Sequence, residues 1–478
     1  MALFSTGNGL QPSRLYPIEC IHCASAPLCS KGNVHPVTHL RTARTAFRLL
    51  LLAVFLLAAL RPAGAYSLLS HEEIVDMAWP QYILPLLQQR YPGLTPDQLT
   101  ECHAYAYGGS VIQDMGYYPF GSKQFSNLLH YVRSGDFVDA LLRDSTTPDE
   151  YAFALGAMSH YYGDTVGHLT VNVITGEEYP SLRSRFGRFV TYGDNETAHL
   201  RNEYGFDVVE VAHGAYSQQN YHDFIGFQVA EPLMNRAFEE TYGLPIDDVL
   251  KHEDLSISSY RYSVSKLIPK MTRVAIAGYG DQIQKATPSF AKDKFIYRLR
   301  RTDFEKEYGK QYMHPDFRDR VVAFLLANVP KVGPFKALKL HLPNSAQQTQ
   351  YLASFNAVET AYRAEVTTVA AAPAADPPAL PELDFDTGAP TADGEYKLAD
   401  QTYAVLTEQL AGKKNAQLSP LLLADINHFY ANPSAPDVLK ATPKKWAKLQ
   451  AALATVHQMP VMAPAVATPA ATTAISMR

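Results

Sequence analysis

The stretch that decides the fold runs from Pro148 to Leu169 and reads PDEYAFALGAMSHYYGDTVGHL. Its apolar residues recur at spacings of three and four, which is the period of an α-helix and not of a strand. Within it, His160, Asp164 and His168 are separated by two four-residue steps. At 100° per residue on a helix these three side chains lie within an arc of about 80°. One helical face therefore presents two imidazoles and a carboxylate.

The helical spacing continues on both sides of this stretch. Residues 224–242 repeat it, and strand-like alternation is scarce between residue 66 and about residue 345. We therefore predict an all-α catalytic domain over residues 66–345.

The last third of the chain changes in composition. Between residues 366 and 396 it becomes rich in Ala, Pro, Asp and Gly, which is typical of a linker or an extended surface loop. We predict a linker over residues 346–396 and a small helical C-terminal segment over residues 397–456, where apolar positions again repeat with a helical period. Residues 457–478 form an Ala/Pro/Thr tail that we expect to be disordered.

The start of the chain has the pattern of an export signal. Three arginines precede the apolar run Leu49–Leu60, which is followed by Ala-Gly-Ala ending at Ala65. The run is too short for the roughly twenty residues that a membrane span needs. We therefore predict a signal peptide over residues 41–65, a mature chain that begins at Tyr66, and a secreted or periplasmic protein. Residues 1–40 are a doubtful N-terminal extension, because a signal peptide should stand first and the true start codon would then lie downstream.

Charge and cysteine content exclude some functions. The chain has 42 basic and 47 acidic side chains, and removal of residues 1–65 would leave 36 and 46. An acidic protein lacks the basic face that neutralises phosphates, so that extended nucleic-acid binding is not expected. Cys102 alone would remain after processing, which leaves no intramolecular disulfide in the mature chain.

A second group of metal-binding residue types follows the first. His199-Leu-Arg-Asn-Glu203 repeats the four-residue step, and half of the 16 histidines lie between His71 and His222. A carboxylate between two histidines can bridge neighbouring ions, and nitrogen and oxygen donors without thiolates suit zinc. We therefore predict a multinuclear zinc site with these ligands: His71, Asp114, His130, His160, Asp164, His168, His199 and Glu203.

Less specific interpretations remain for several of these residues. A single His-x3-Asp pattern is more often the polar side of a surface helix, and only its repetition in four clusters favours a metal site. His103 has no partner at helical spacing, which favours a structural role. His213 and His222 are alternatives to His199 as a ligand.

The order of these motifs resembles the zinc-dependent phospholipase C/D family. This family includes secreted bacterial phospholipases C and the catalytic part of glycosylphosphatidylinositol-specific phospholipase D. The resemblance covers about residues 66–267, and the spacing of His160, Asp164 and His168 is closest to the glycosylphosphatidylinositol-specific branch. It is carried by the following motifs in order: Ser70-His71-Glu-Glu-Ile74, Ala104-Tyr-Ala-Tyr-Gly108, Asp114 with Tyr118-Pro119, and His130.

The resemblance implies a multi-helix fold shared with phospholipase C and single-strand nucleases. It also implies two to three zinc ions, hydrolysis of phospholipids or glycolipids at a membrane surface by metal-activated water, and Asp114 as the catalytic residue that orients or deprotonates that water. We expect a monomer. The ligands would divide into three sets: His130, His160, Asp164 and Asp114 on one ion; His71 and Asp164 on a second; His168, His199 and Glu203 on a third.

The resemblance departs at the N-terminus of the mature chain. Related enzymes begin with Trp or another residue whose terminal amine binds metal, whereas this chain would begin with Tyr66. We predict that the Tyr66 amine is an additional ligand, because an α-amine with a pKa near 8 can lose its proton beside a zinc ion.

Two other functions fit the same residues. The first is a single-strand-specific nuclease that uses the same metal cluster. The second is a non-catalytic metal-binding surface protein, which a closed site with only protein ligands would favour.

Overall fold

The structure is a computed structural model that describes residues 68–213, 227–264, 343–372, 378–413, 417–432 and 442–462, with only the backbone for residues 208–213. The predicted signal peptide, the N-terminal extension and Tyr66 lie outside these ranges. Within them the chain forms helices and loops, and its only β-pairing is in two isolated bridges, Leu383–Pro390 and Leu418–Val461. The all-α fold class is confirmed.

The described helices, in chain order, are α1 Leu68–Ala78, α2 Leu84–Arg90, α3 Pro96–Ser110, α4 Lys123–Tyr131, α5 Ser134–Asp144, α6 Pro148–Glu178, α7 Pro180–Phe186, α8 Glu196–His213, α9 Glu231–Tyr242, α10 Glu253–Tyr262, α11 Ser345–Ala371, α12 Lys397–Gly412, α13 Pro420–Phe429 and α14 Pro443–Val456. A π-helical turn, Trp79–Ile83, joins α1 to α2, and 3-10 helices cover Ile112–Tyr117 and Ile246–Asp248.

Helix α6 is the centre of the domain, and local sequence signals define both of its ends. The Thr147 side chain accepts a hydrogen bond from the Glu150 amide, and Pro148 occupies the first helical position, where no amide donor is needed. The helix stops at Glu178, two residues before Pro180, because a proline disfavours helical backbone in the residue that precedes it. Helices α1, α3, α5, α8 and α11 pack around it. The ligand-bearing face of α6 is therefore enclosed by other helices.

Close backbone packing holds α3 against α6. A Cβ atom on Gly156 of α6 would lie 2.0 Å from the Ala106 carbonyl oxygen of α3, and one on Gly109 would lie 2.0 Å from the Phe153 carbonyl oxygen. Only glycine fits at these two positions, because any side chain there would force the helices apart. The contact brings Ser110, the last residue of α3, close to the middle of α6.

Helix α11 corrects part of the predicted linker over residues 346–396. Asn344 caps this helix by accepting hydrogen bonds from the amides of Ala346 and Gln347. Alanine-rich sequence suits a helix as well as a linker, and here an apolar stripe at three- and four-residue spacing packs against α6. The buried stripe consists of Tyr351, Phe355, Val358, Tyr362, Val366 and Val369. The linker prediction is wrong for this part of the segment.

The second part of the predicted linker is an ordered loop, and we call residues 380–396 the strap. Backbone hydrogen bonds fold the strap on itself, from the Asp384 amide to the Ala389 oxygen and from the Thr391 amide to the Glu382 oxygen. It also packs against the helices: the Tyr161 hydroxyl donates to the Pro381 oxygen at 2.7 Å. The strap thus belongs to the body of the domain.

The C-terminal helices share the hydrophobic core with the rest of the described chain. Leu406 and Leu410 of α12 and Ile426 of α13 are fully buried within it. The predicted disordered tail is ordered at its start, because the Leu418 amide donates to the Pro460 oxygen and the Met462 amide donates to the Leu418 oxygen. The remaining tail lies outside the described residues, and the other predicted domain boundaries stay predictions. None of the described helices is both long enough and apolar enough to cross a membrane.

Candidate metal centre

The structure brings the eight predicted ligand residues into one buried region. Each is at most 2% exposed to solvent. They come from five elements: His71 from α1, Asp114 from the 3-10 helix after α3, His130 from α4, His160, Asp164 and His168 from α6, and His199 and Glu203 from α8. Their individual roles as ligands stay predictions.

Asp164 is the common neighbour of four histidines. Its Oδ2 atom lies 3.1 Å from His160 Nε2 and 3.5 Å from His130 Nε2. Its Oδ1 atom lies 3.4 Å from His71 Nε2 and 3.5 Å from His168 Nε2. The two oxygens therefore face different pairs of imidazoles, which is the arrangement that a bridging carboxylate requires.

Three groups of donors lie close enough together to hold a metal ion. In each group one donor atom from every residue lies within 4.8 Å of the others. The first two groups share His160, and Asp164 connects the first group to the third through His168. The groups are His71 with His160 and Asp164; Asp114 with His130 and His160; and His168 with His199 and Glu203.

Backbone carbonyls fix the orientation of two imidazoles. His130 Nδ1 is 2.7 Å from the Ser126 oxygen, and His160 Nδ1 is 2.9 Å from the Ser110 oxygen. A carbonyl oxygen can only accept, so that Nδ1 carries a proton in both rings and Nε2 is the nitrogen left for a metal. Both rings are thereby prepared to bind a metal through the nitrogen that faces Asp164.

A glycine on α6 makes room for His71. A Cβ atom at Gly163 would lie 2.9 Å from two atoms of the His71 ring. The side chain of His71 can therefore lie across α6 and stack on His160, with ring centroids 4.1 Å apart. A larger residue at position 163 would push His71 out of the first group.

The pKa values of two of these histidines are shifted in opposite directions. Burial, reinforced by the neighbouring His160, lowers the pKa of His71 to about 4 despite the opposing effect of Asp164. Burial also lowers the pKa of His130, but the neighbouring Asp114 and Asp164 carboxylates outweigh it and raise this pKa to about 10. His71 is therefore neutral at pH 7, whereas at His130 a metal ion would have to displace a proton.

The carboxylates are also shifted in opposite directions. Burial alone would raise the pKa of Asp164, but the surrounding histidines, His160 and His168 first, hold it well below its usual range. Burial raises the pKa of Glu203 well above its usual range, and Asp164 adds to this rise while His168 opposes it. A cation that joins this cluster would displace protons from it, as metal binding to deprotonated ligands requires.

Buried atoms that make no hydrogen bond give a test of whether zinc suits this site. Buried polar atoms are nearly always satisfied by a partner, so that a concentration of unsatisfied ones marks a site for a bound group. These atoms are nitrogens and oxygens without a thiolate, at the spacing of a tetrahedral or bridged zinc site, and they fit zinc. They are Asp114 Oδ1, His130 Nε2, His160 Nε2, both Asp164 oxygens, His199 Nε2 and both Glu203 oxygens.

Other residues considered from the sequence lie elsewhere. His103 stacks on Trp79 with centroids 3.9 Å apart and contacts Asp76 at 2.9 Å, and it belongs to none of the three donor groups. The alternatives to His199 cannot be placed, because the His213 side chain and all of His222 lie outside the described residues.

Two residues of the strap reach the site and had no counterpart in the sequence interpretation. Phe385 packs against His130, with ring centroids 5.0 Å apart, and Asp386 Oδ1 lies 3.4 Å from His168 Nδ1. Burial would raise the pKa of Asp386, but the neighbouring His168 imidazole lowers it below its usual value. No spacing signal in the sequence relates a loop carboxylate to a helix more than 200 positions earlier.

Over the described residues, the protein is all-helical and gathers buried nitrogen and oxygen donors into three groups that could hold metal ions. Residues 70–250 match the family model described as zinc dependent phospholipase C. This region of the chain is therefore similar to the zinc-dependent phospholipase C family, which supports a zinc-dependent hydrolase. The searches of curated proteins and of solved structures each found no match.

Proposed function

We propose that the protein is an exported, zinc-dependent phosphodiesterase that hydrolyses phospholipids or glycolipids at a membrane surface. The observation that supports this proposal best is the set of three connected donor groups, two of them sharing His160 and two joined by Asp164. Because His160 Nδ1 faces the Ser110 oxygen, His160 has one ring nitrogen left for a metal and can serve only one of the two groups that share it. With no more than three of these donors, each group would leave a position for water on a tetrahedral zinc, and such an open position is what distinguishes a catalytic zinc site from a structural one.

We propose separate roles for the zinc ions and for Asp114. When bound, two or three zinc ions would screen the negative charge of the phosphodiester and lower the pKa of water towards 7. Asp114 lies at the edge of the second group, with Oδ1 3.4 Å from His130 Nε2 and without a hydrogen bond. We assign Asp114 the role of orienting the attacking water and taking its proton, which a buried carboxylate beside the reacting group can do.

Charge and export support the choice of substrate and location. The mature chain predicted from the signal peptide is acidic, which disfavours a long polyanion and is compatible with a single phosphodiester group held mainly by metal ions. The predicted signal peptide over residues 41–65 supports a secreted or periplasmic enzyme, where extracellular or envelope lipids are available.

The first experiment is metal analysis of the purified full-length secreted protein before and after treatment with a chelator. We expect two to three zinc ions per chain and loss of hydrolysis on chelation, with recovery when zinc is added back. Less than one zinc ion per chain would overturn the proposal.

The second experiment identifies the substrate and the bond that is cut. Phosphatidylcholine, a glycosylphosphatidylinositol and single-stranded DNA are assayed side by side, and the products are identified. Diacylglycerol indicates C-type cleavage, phosphatidic acid indicates D-type cleavage, and nucleotides indicate the nuclease. The matched variants are His160→Ala, which removes a shared donor, and His428→Ala, which removes an exposed histidine. Hydrolysis that survives His160→Ala, or zinc binding without hydrolysis of any of the three, would contradict the proposal.

A further inference from the structure

The strap crosses the ligand-bearing helices although it lies outside residues 70–250, the region that matches the family. Its backbone is bonded directly to elements of the metal centre. The Phe385 amide donates to the His130 carbonyl at 3.2 Å, and the Asn172 side chain of α6 donates to the Asp386 carbonyl at 2.7 Å. Residues 385 and 386 are therefore held between α4 and α6, next to His130 and His168.

The Asp386 side chain is anchored on one oxygen and faces the metal centre with the other. Its Oδ2 atom accepts hydrogen bonds from the Tyr131 hydroxyl, at 3.0 Å, and from the Tyr396 hydroxyl. Its Oδ1 atom lies 3.4 Å from His168 Nδ1. Because the side chain is only 2% exposed, water does not substitute for these partners.

His168 lies between this carboxylate and the ligand groups. Its opposite ring nitrogen, Nε2, is 3.5 Å from Asp164 Oδ1 and 3.5 Å from Glu203 Oε1. A carboxylate on one nitrogen of an imidazole and a metal on the other is a recurrent arrangement, in which the carboxylate fixes the ring orientation and the tautomer and makes the ligand more basic. His130 and His160 are oriented instead by hydrogen bonds from Nδ1 to the carbonyls of Ser126 and Ser110, within the family region.

We infer that Asp386 is the positioning residue of His168, and that the third donor group is complete only when the strap is in place. This inference rests on the proposed function, since it needs a zinc-binding site. It means that the metal-binding domain includes Asp386, which lies outside residues 70–250. Asp386 acts through His168 and is not itself one of the donors in the three groups.

The test compares Asp386→Asn with Glu395→Gln in the full-length, zinc-loaded protein. Asp386→Asn keeps the shape of the side chain and removes its charge, whereas Glu395→Gln makes the same change on the same strap at an exposed carboxylate that accepts a hydrogen bond from the Thr387 hydroxyl. Zinc content and competition with a chromogenic chelator are measured. We expect Asp386→Asn to weaken one zinc site by about 10- to 100-fold, and Glu395→Gln to match wild type. Equal zinc affinity in wild type and Asp386→Asn would overturn the inference.

A merely structural role for Asp386 gives a different result. The chelator-treated proteins are therefore melted as well, and because Asp386 accepts two buried hydroxyl hydrogen bonds, the metal-free melting temperature should fall in Asp386→Asn in either case. A positioning residue also weakens zinc binding, whereas a purely structural residue leaves zinc affinity unchanged. Should Asp386→Asn fail to fold, Tyr396→Phe removes one anchor of Oδ2 and is expected to lower zinc affinity in the same direction by a smaller factor; an unchanged affinity there would also overturn the inference. Wild-type protein without zinc would instead refute the proposed function.

Discussion

The ligand-bearing helices and the strap contribute to the same metal centre by different physical routes. On α6 and α8, pairs such as His160 with Asp164 and His199 with Glu203 face each other because four residues make about one helical turn. Asp386 reaches His168 through a loop whose course depends on contacts with α4 and α6. The comparison teaches that helical periodicity positions the donor residues, whereas packing between residues distant in sequence positions Asp386, which orients His168.

Replacement of Asp164 by Asn should have the largest effect, because Asp164 lies beside four of the predicted histidine ligands. Asn keeps the size of the side chain but can offer only one oxygen to the histidines that now face two. We expect loss of at least one zinc ion and a fall in hydrolysis of about 100-fold or more. Metal analysis and a phosphodiesterase assay measure this. Activity within a few-fold of wild type would mean that the cluster is not the reaction centre.

Two truncations separate the strap from the helices that follow it. Ending the chain after Tyr396 removes α12 to α14 but keeps the strap, and we expect bound zinc to remain while the melting temperature falls, since Leu406 and Leu410 leave the core. Ending it after Ala372 removes the strap as well, and we expect the zinc held by the third donor group to be lost. Equal zinc content in the two truncated proteins would show that the strap does not contribute to the centre.

Substitution of Phe385 by Ala tests whether the strap's packing reaches the donors. Phe385 is fully buried against His130 and Tyr161, so that truncation should lower the free energy of unfolding by about 3–5 kcal/mol. Phe238→Ala is the matched control, because Phe238 is equally buried but packs against Phe125 and Tyr242. Denaturant unfolding should show similar losses, and only Phe385→Ala should weaken zinc binding. If both variants bind zinc alike, the two regions are independent.

The smallest expected effect is on the pH dependence of stability. Asp139 of α5 accepts the Leu380 amide at the start of the strap, and burial raises its pKa to about 7. Above its unfolded pKa near 4 the folded state therefore holds the proton more tightly, and wild type loses stability as pH rises from about 4 to 7. Asp139→Asn cannot titrate, so the free-energy difference between wild type and this variant should decrease over that range. Asp97→Asn, at an exposed acid, should show no such trend.

The sequence predicted most of this architecture where one helix carries the information. The helical fold and the clustering of eight polar residues follow from spacings of three and four, and these residues do lie together. Helix α11 had the same signal, since Tyr351, Phe355 and Val358 repeat with a helical period, but its alanine-rich end suggested a linker. Asp386 had no such signal, because its position depends on how residues distant in sequence pack.

The strap also has a consequence for the order of events during synthesis. Asp386 is separated from Asn172 by 214 positions and from Tyr131 by 255. The ribosome therefore completes every residue of the three donor groups well before it makes the carboxylate that orients His168, and contacts over such distances form late because closing a long loop costs entropy. An ion that arrived early would meet a flexible third group. The third donor group is complete only after the strap has packed against the helices, so that its zinc ion is expected to bind late in folding.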